Sequence, residues 1–169
     1  MKWIFISVAV LAVVVAAAAS IGAMLPKNHR ASRSSHFRQQ PEAIWGVITG
    51  PPDWRPDIRS SEKLPPRAGR RCWKDVDKHG QAIVYESVEE NPPHRLVTRI
   101  ADPKLPFGGT WTQEIVQDPT GCRVTITEDG EIYNPIFRFM ARFVFGYSGS
   151  IETYMKALHA KFGETAEGE

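Results

Sequence analysis

The chain has 169 residues, 42% of them hydrophobic and 24% charged, a composition that suits one compact domain and excludes a long disordered tract. Its formal charge of +2, from 21 lysines and arginines against 19 acidic residues, is too small for the phosphate neutralisation that nucleic-acid binding requires. The two cysteines, Cys72 and Cys122, fit neither a disulfide framework nor a zinc site with four closely spaced ligands, so free thiols are expected.

The first element stands apart. Residues 3–25, "WIFISVAVLAVVVAAAASIGAML", contain no charge and, at about 1.5 Å per residue, are long enough to cross a hydrocarbon core of about 30 Å. They read as a membrane-spanning anchor over residues 1–26, followed by a basic linker over 27–33. The alternative is a secretory signal, with Lys2 as its n-region and small-x-small cleavage sites before Ser20, which would release a periplasmic or secreted domain. The apolar run exceeds the usual signal core of about 7 to 15 residues and favours the anchor. Lys27, Arg30 and Arg33 outnumber Lys2, which points to a single-pass protein with a cytoplasmic domain.

After Pro26, "RASRSSHFRQQ" (residues 30–40) lacks helical periodicity and stops at Pro41, as a polar-rich strand does. "PEAIWGVIT" has proline in its first turn and Ile44, Trp45 and Ile48 on one face, the pattern of a short amphipathic helix. "DWRPDI" has prolines that leave room for at most one further helical turn. Next, "RCWKDVDKHG" and "QAIVYESVEE" form a hairpin around a His-Gly turn. "HRLVTRIAD", "GTWTQEIVQD" and "CRVTITEDGEI" alternate in the same way between turn-rich breaks. Such short connections make antiparallel neighbours.

The closing stretch opens with Asn134 as N-cap and Pro135 in the first turn. Its first half carries Phe137, Phe139, Phe143 and Phe145, with only Arg138 and Arg142 to face water. Gly146 and Gly149 interrupt it, and Ile151, Tyr154, Met155, Leu158 and Phe162 then recur at helical spacing. A sheet of about six strands must curl, and this helix is the element available to cover its concave face.

In "PEAIWGVITGPPDWRPDI", "GGTWTQEI", "GCRVTITEDGEIYNPIFRFMARFVFG" and the final amphipathic helix, the sequence resembles the START-like or helix-grip superfamily (SRPBCC), which includes pollen allergens, lipid-transfer domains and polyketide cyclases. The resemblance covers residues 30–164 and leaves 165–169 as a tail. It implies an α+β fold: a curved seven-stranded antiparallel sheet around a long C-terminal helix, with two short helices closing one end and an apolar cavity between sheet and helix. It is specific for fold and not for function, because such folds host unrelated activities.

Within that frame Trp54, Trp73, Tyr85 and Trp111, with Phe137, Met140 and Phe143 of the closing helix, are the candidate ligand contacts, offering flat apolar walls and an occasional polar tip. Trp45 belongs to the core. The phenylalanines have two further readings, as plain core filling or as an interfacial helix at a bilayer surface. His36, His79, His94 and His159 are expected at the surface, and no metal spacing, phosphate loop or dinucleotide fingerprint occurs, so no cofactor is expected. Glu128, which strict strand alternation sends inward, and Glu114 are the candidate carboxylates for a cyclase or dehydratase. Otherwise Glu128 sits solvated or arginine-paired at the rim, since unpaired buried charge is costly. The basic run Arg55, Arg59, Lys63, Arg67, Arg70 and Arg71 suits either anionic headgroups or a charged strand edge. The leading expectation is a membrane-anchored, non-catalytic binder of a small hydrophobic or lipid-like molecule. A cyclase-like enzyme and an interaction module with a filled cavity are the alternatives.

Overall fold

The computed structural model describes residues 2–165. Helix α1 (Lys2–Met24) leads into β1 (Asn28–Phe37) and α2 (Pro41–Thr49). Six strands follow: β2 (Ile58–Arg67), β3 (Arg70–Asp77), β4 (Ala82–Asn91), β5 (Arg95–Ile100), β6 (Phe107–Asp118) and β7 (Gly121–Ile132). The chain closes with α3 (Pro135–Met140), a π-helical turn (Ala141–Phe145) and α4 (Gly149–Lys161). All pairings are antiparallel, in the order β1-β7-β6-β5-β4-β3-β2. This is the helix-grip α+β architecture that the strand pattern and the resemblance imply.

Alternation along the strands sorts the two faces of the sheet. Ile115, Val124 and Ile126 point inward and meet Phe37, Ile44 and Leu158, all at most 1% exposed. Each such side chain contributes about 1.5–3 kcal/mol by leaving water. This core lies under α4 and α2, and it fills only part of the space that the sheet encloses.

Three local departures from the sequence reading concern short segments. The second short helix is absent: residues 52–58 make two successive turns, Arg55 N to Pro52 O (3.0 Å) and Ile58 N to Arg55 O (3.2 Å), because Pro52 and Pro56 interrupt helical bonding. The seventh strand is β2, whose prolines at 65 and 66 fall at an irregularity in its pairing with β3, which an edge strand tolerates. Arg30 and Arg33 of the expected linker lie inside β1, paired with Asp129 and Glu152. Beyond Thr165, the expected tail lies outside the described residues.

The closing helix is two helices. Asn134 caps α3 as expected, its side chain accepting from Ile136 N (2.9 Å) and Phe137 N (3.2 Å). The chain then breaks at Gly146, whose φ of 74° and ψ of 178° suit glycine alone. Only α4 is gripped by the sheet. The first half packs instead beside the last turn of α1, where Arg138 is buried rather than solvated and donates from Nη1 to Leu25 O (2.7 Å) and from Nη2 to Tyr133 O (3.4 Å). Gly22 is the only buried residue of α1, and a Cβ there would collide with the Pro135 backbone.

Candidate functional site

Where the core stops, a cavity of about 960 Å³ opens between the sheet, α4, the segment after α2 and the α3–π segment. Trp, Tyr and Phe side chains stud its walls, and several of them meet at Tyr154 of α4. Trp54 and Trp111 meet the Tyr154 ring edge-on at 5.0 and 5.5 Å, and the Tyr154 hydroxyl donates to Gln113 Oε1 (3.1 Å). Trp73 stacks on Tyr85 at 5.6 Å, and the Arg71 guanidinium covers the other ring of that pair, Trp73, at 4.9 Å. Burial pushes the Tyr85 hydroxyl up to about 12, against the pull of Arg55. It raises the Tyr154 hydroxyl as well. Both phenols are therefore neutral hydrogen-bonding groups at physiological pH.

Two polar clusters punctuate these walls. Toward the α3–π segment, Glu128 Oε2 accepts from Trp111 Nε1 (2.9 Å) and Ser150 Oγ (3.1 Å), and Glu128 Oε1 lies 3.3 Å from His29 Nε2. The His29 ring stacks on Tyr147 at 4.4 Å, and its Nδ1 is buried with no hydrogen-bond partner. Gly130 lies opposite His29 in the β1–β7 pairing, and any side chain there would occupy the imidazole's space. The second cluster joins Arg55 Nη2 to Asp57 Oδ2 (2.6 Å), Arg55 Nη1 to Asp75 Oδ2 (3.9 Å) and Ser61 Oγ to Asp75 Oδ1 (2.6 Å). Burial opposes the Arg55 charge, yet the bond to Asp57 and the surrounding negative charges leave its pKa above the ordinary value. Each buried charge is thus matched by an opposite charge or a hydrogen-bond donor, as burial requires.

Trp54, Trp73, Tyr85, Trp111, Phe137 and Met140 line the cavity, whereas Phe143 lies outside it and is 59% exposed. Trp54 is held more firmly than a residue at a loose mouth: its Nε1 donates to Val47 O (3.2 Å), and it packs against the core. Glu128 faces inward. Glu114 sits on the outer face between inward-facing Gln113 and Ile115, where Arg95 Nη1 holds its Oε1 at 2.5 Å, so it lies outside the cavity. His79 and His94 are exposed and His36 is partly so, but His159 is buried, stacked on Phe37 at 4.0 Å and bonded to Ser35 Oγ (2.7 Å). Of the basic run, Arg55, Lys63 and Arg71 line the cavity rather than standing clear of it, and Arg70 and Arg71 pair with Glu86 and Glu90.

Sequence reasoning missed His29 and the Arg55–Asp57–Asp75 cluster. For His29 a signal existed: it shares the inward parity of Ala31 and Phe37 on β1, and Gly130 leaves room for a ring. The second cluster depends on turns between prolines, where no periodicity shows which way a side chain points.

The fold and the aromatic cavity define a helix-grip protein. The family described as "Polyketide cyclase / dehydrase and lipid transport" matches residues 28–163, and the chain belongs to it. No curated protein matches this sequence. Among solved structures, a protein of Mesorhizobium loti is similar at 14% identity and a TM-score of 0.61, over 80% of this chain and 97% of that one. XoxI from Bacillus cereus is similar at 19% identity and a TM-score of 0.55, over 81% and 96% of the two chains. The di-domain ARO/CYC StfQ from the steffimycin biosynthetic pathway is similar at 12% identity and a TM-score of 0.62, over 79% of this chain and half of its own. At these identities the likeness is one of fold.

Proposed function

We propose that this protein is a membrane-anchored binding protein that holds a small hydrophobic or lipid-like molecule between the sheet and the C-terminal helices. The observation that carries this reading is the cavity: about 960 Å³, near the upper end of the roughly 300–1,000 Å³ typical of ligand sites. Its Trp, Tyr and Phe walls favour an apolar body. Its buried charges already have partners, and its lining is close to charge balance, with Asp57, Asp75, Glu128 and Glu131 against Arg55, Lys63 and Arg71. A neutral ligand bearing hydroxyl or carbonyl groups fits that balance better than a fatty-acid anion. The family's lipid-transport description and the apolar helix α1 support the same reading.

The anchor reading rests on α1 itself. Its 23 residues reach about 35 Å at about 1.5 Å each, and among them only Gly22 is buried. A helix without charge after Lys2, its Ser7 and Ser20 hydroxyls bonded back to its own carbonyls, and exposed along most of its length requires an apolar surrounding. By the balance of flanking lysines and arginines we place the domain on the cytoplasmic side.

The test uses the full-length chain carrying Trp3→Phe, in nanodiscs, titrated with the methyl ester of a nitroxide-labelled fatty acid. Saturable quenching of tryptophan emission at about one probe per protein, through contact with Trp54, Trp73 and Trp111, is expected. Quenching that only tracks probe concentration in the lipid contradicts binding.

One observation favours a second reading, a cyclase- or dehydratase-like enzyme: the Glu128 carboxylate reaches the cavity beside His29. Such an enzyme loses turnover in Glu128→Gln while probe binding survives. Equal turnover by the variant ends that reading.

A further inference from the structure

The α3–π segment is apolar on the side that faces neither α1 nor the cavity. Phe143 and Val144, outside the cavity, are 59 and 58% exposed, Phe137 and Phe145, which also line it, are 49 and 71% exposed, and the only charged side chain exposed among residues 135–145 is Arg142. A contiguous apolar surface of this kind needs an occupant. What it adjoins identifies the occupant. Arg138 holds the carbonyl of Leu25, and Gly22 lets the α1 backbone press against Pro135, so α3 starts within one turn of the point where α1 ends. A helix that crosses the hydrocarbon core therefore delivers α3 to the depth of the headgroups. Tyr133 is exposed beside the segment and Trp3 at the far end of α1, the positions at which amphipathic aromatic rings sit in the two interfaces. Arg142 is exposed on the segment, a long cationic side chain of the kind that reaches headgroup phosphates from an apolar face.

We propose that residues 135–145 lie in the boundary between headgroups and acyl chains of the bilayer that α1 spans, so that the cavity exchanges its ligand laterally with the membrane. Phe137, Phe145 and Gly146 line the cavity and are exposed, and Phe143 and Val144 of the same segment are exposed outside it, so this one segment stands between ligand and lipid. The break at Gly146, whose backbone conformation suits glycine alone, separates that segment from α4 and gives it a point about which to move. This inference rests on the membrane-anchored reading above and adds the entry route and the ligand's source, the membrane itself.

The decisive experiment places a nitroxide on Phe143→Cys and Val144→Cys of the full-length protein in vesicles of phosphatidylcholine and phosphatidylglycerol, with Arg59→Cys on β2 as the aqueous reference. Cys72 and Cys122 are at most 1% exposed, and burial raises the Cys122 thiol to about 11, so labelling is confined to the introduced cysteine. Collisions with oxygen should exceed those with a water-soluble nickel complex at 143 and 144, with the reverse at 59. A water-exposed pattern at 143 and 144 overturns the proposal. So does shielding from both reagents, which marks a protein partner. The companion variant Val144→Asp should slow pick-up of the nitroxide ester from donor vesicles about tenfold at unchanged binding stoichiometry, and an unchanged rate removes the lateral route. A protein that takes up no ester at all contradicts ligand binding, while the collision data still decide where the segment lies.

Discussion

The two halves of the C-terminal helical segment are neighbours in sequence and meet different surroundings. In α4, Ile151, Met155 and Leu158 are at most 5% exposed and meet the sheet, while its charged residues face water. In the α3–π segment the relation is inverted at Arg138, which is inside and bonded to the carbonyls of Leu25 and Tyr133, while Phe137, Phe143 and Phe145 are exposed. Both halves are rich in apolar residues, so hydrophobicity does not distinguish them. What does is the partner that each meets: β-strands with inward-facing isoleucine and valine for α4, and the end of an apolar helix for α3. An amphipathic stripe specifies its partner's direction, whereas an aromatic helix with no polar face leaves that to the rest of the chain.

The sharpest way to break this contrast is to truncate a side chain on the gripped side. Leu158→Ala should lower stability by about 3 kcal/mol, within the range of about 2–5 for a fully buried leucine, read as a shift in urea midpoint at unchanged slope. A loss under 1 kcal/mol in that measurement contradicts the packing of α4 as described. Glu128→Ala comes next, costing about 1–3 kcal/mol because Trp111 Nε1 and Ser150 Oγ lose their acceptor; Glu128→Gln, which retains an oxygen, should lose less.

Alkaline pH probes the cavity wall itself. Burial raises Tyr85 from 10.0 to about 12, so the folded protein retains that proton where the unfolded chain has released it. The stability tied to this phenol is complete below pH 10 and is lost as pH rises to about 12. Urea midpoints taken across that window should fall less steeply in Tyr85→Phe, and identical slopes contradict a buried Tyr85. The smallest effect belongs to the exposed half. Val144→Ala in detergent should leave the urea midpoint within about 0.5 kcal/mol of wild type, and a loss like that of Leu158→Ala means the segment is packed against protein.

Much of the fold was legible because antiparallel strands advertise themselves. Strands β3 to β7 alternate, and turn residues bound them, so their expected limits agree with the structure to within a few residues. Strand β2 had no such signature: on the sheet's edge it buries little, and "KLPPR" reads as a loop. The cap at Asn134 and the first turn at Pro41 were readable from local chemistry alone. For the site, alternation from Val124 and Ile126 sends Glu128 inward, whereas Glu114, expected as a second cavity carboxylate, has the opposite parity to the inward-facing Gln113 and Ile115 and points away. Phe143 and Arg138 were harder, because their surroundings depend on α1, more than a hundred residues earlier in the chain. Pairing between such distant segments leaves no periodic trace in either one.

Native mass spectrometry of the full-length protein, beside Thr98→Phe, tests the central claim most directly. Thr98 is buried on β5 and lines the cavity, so a phenyl ring there takes up ligand space. The account predicts that wild type carries an apolar molecule released on denaturation and that Thr98→Phe, folded alike, carries markedly less. A wild-type chain that is empty and takes up no neutral acyl ester, or equal loading of the two proteins, contradicts a ligand held in this cavity.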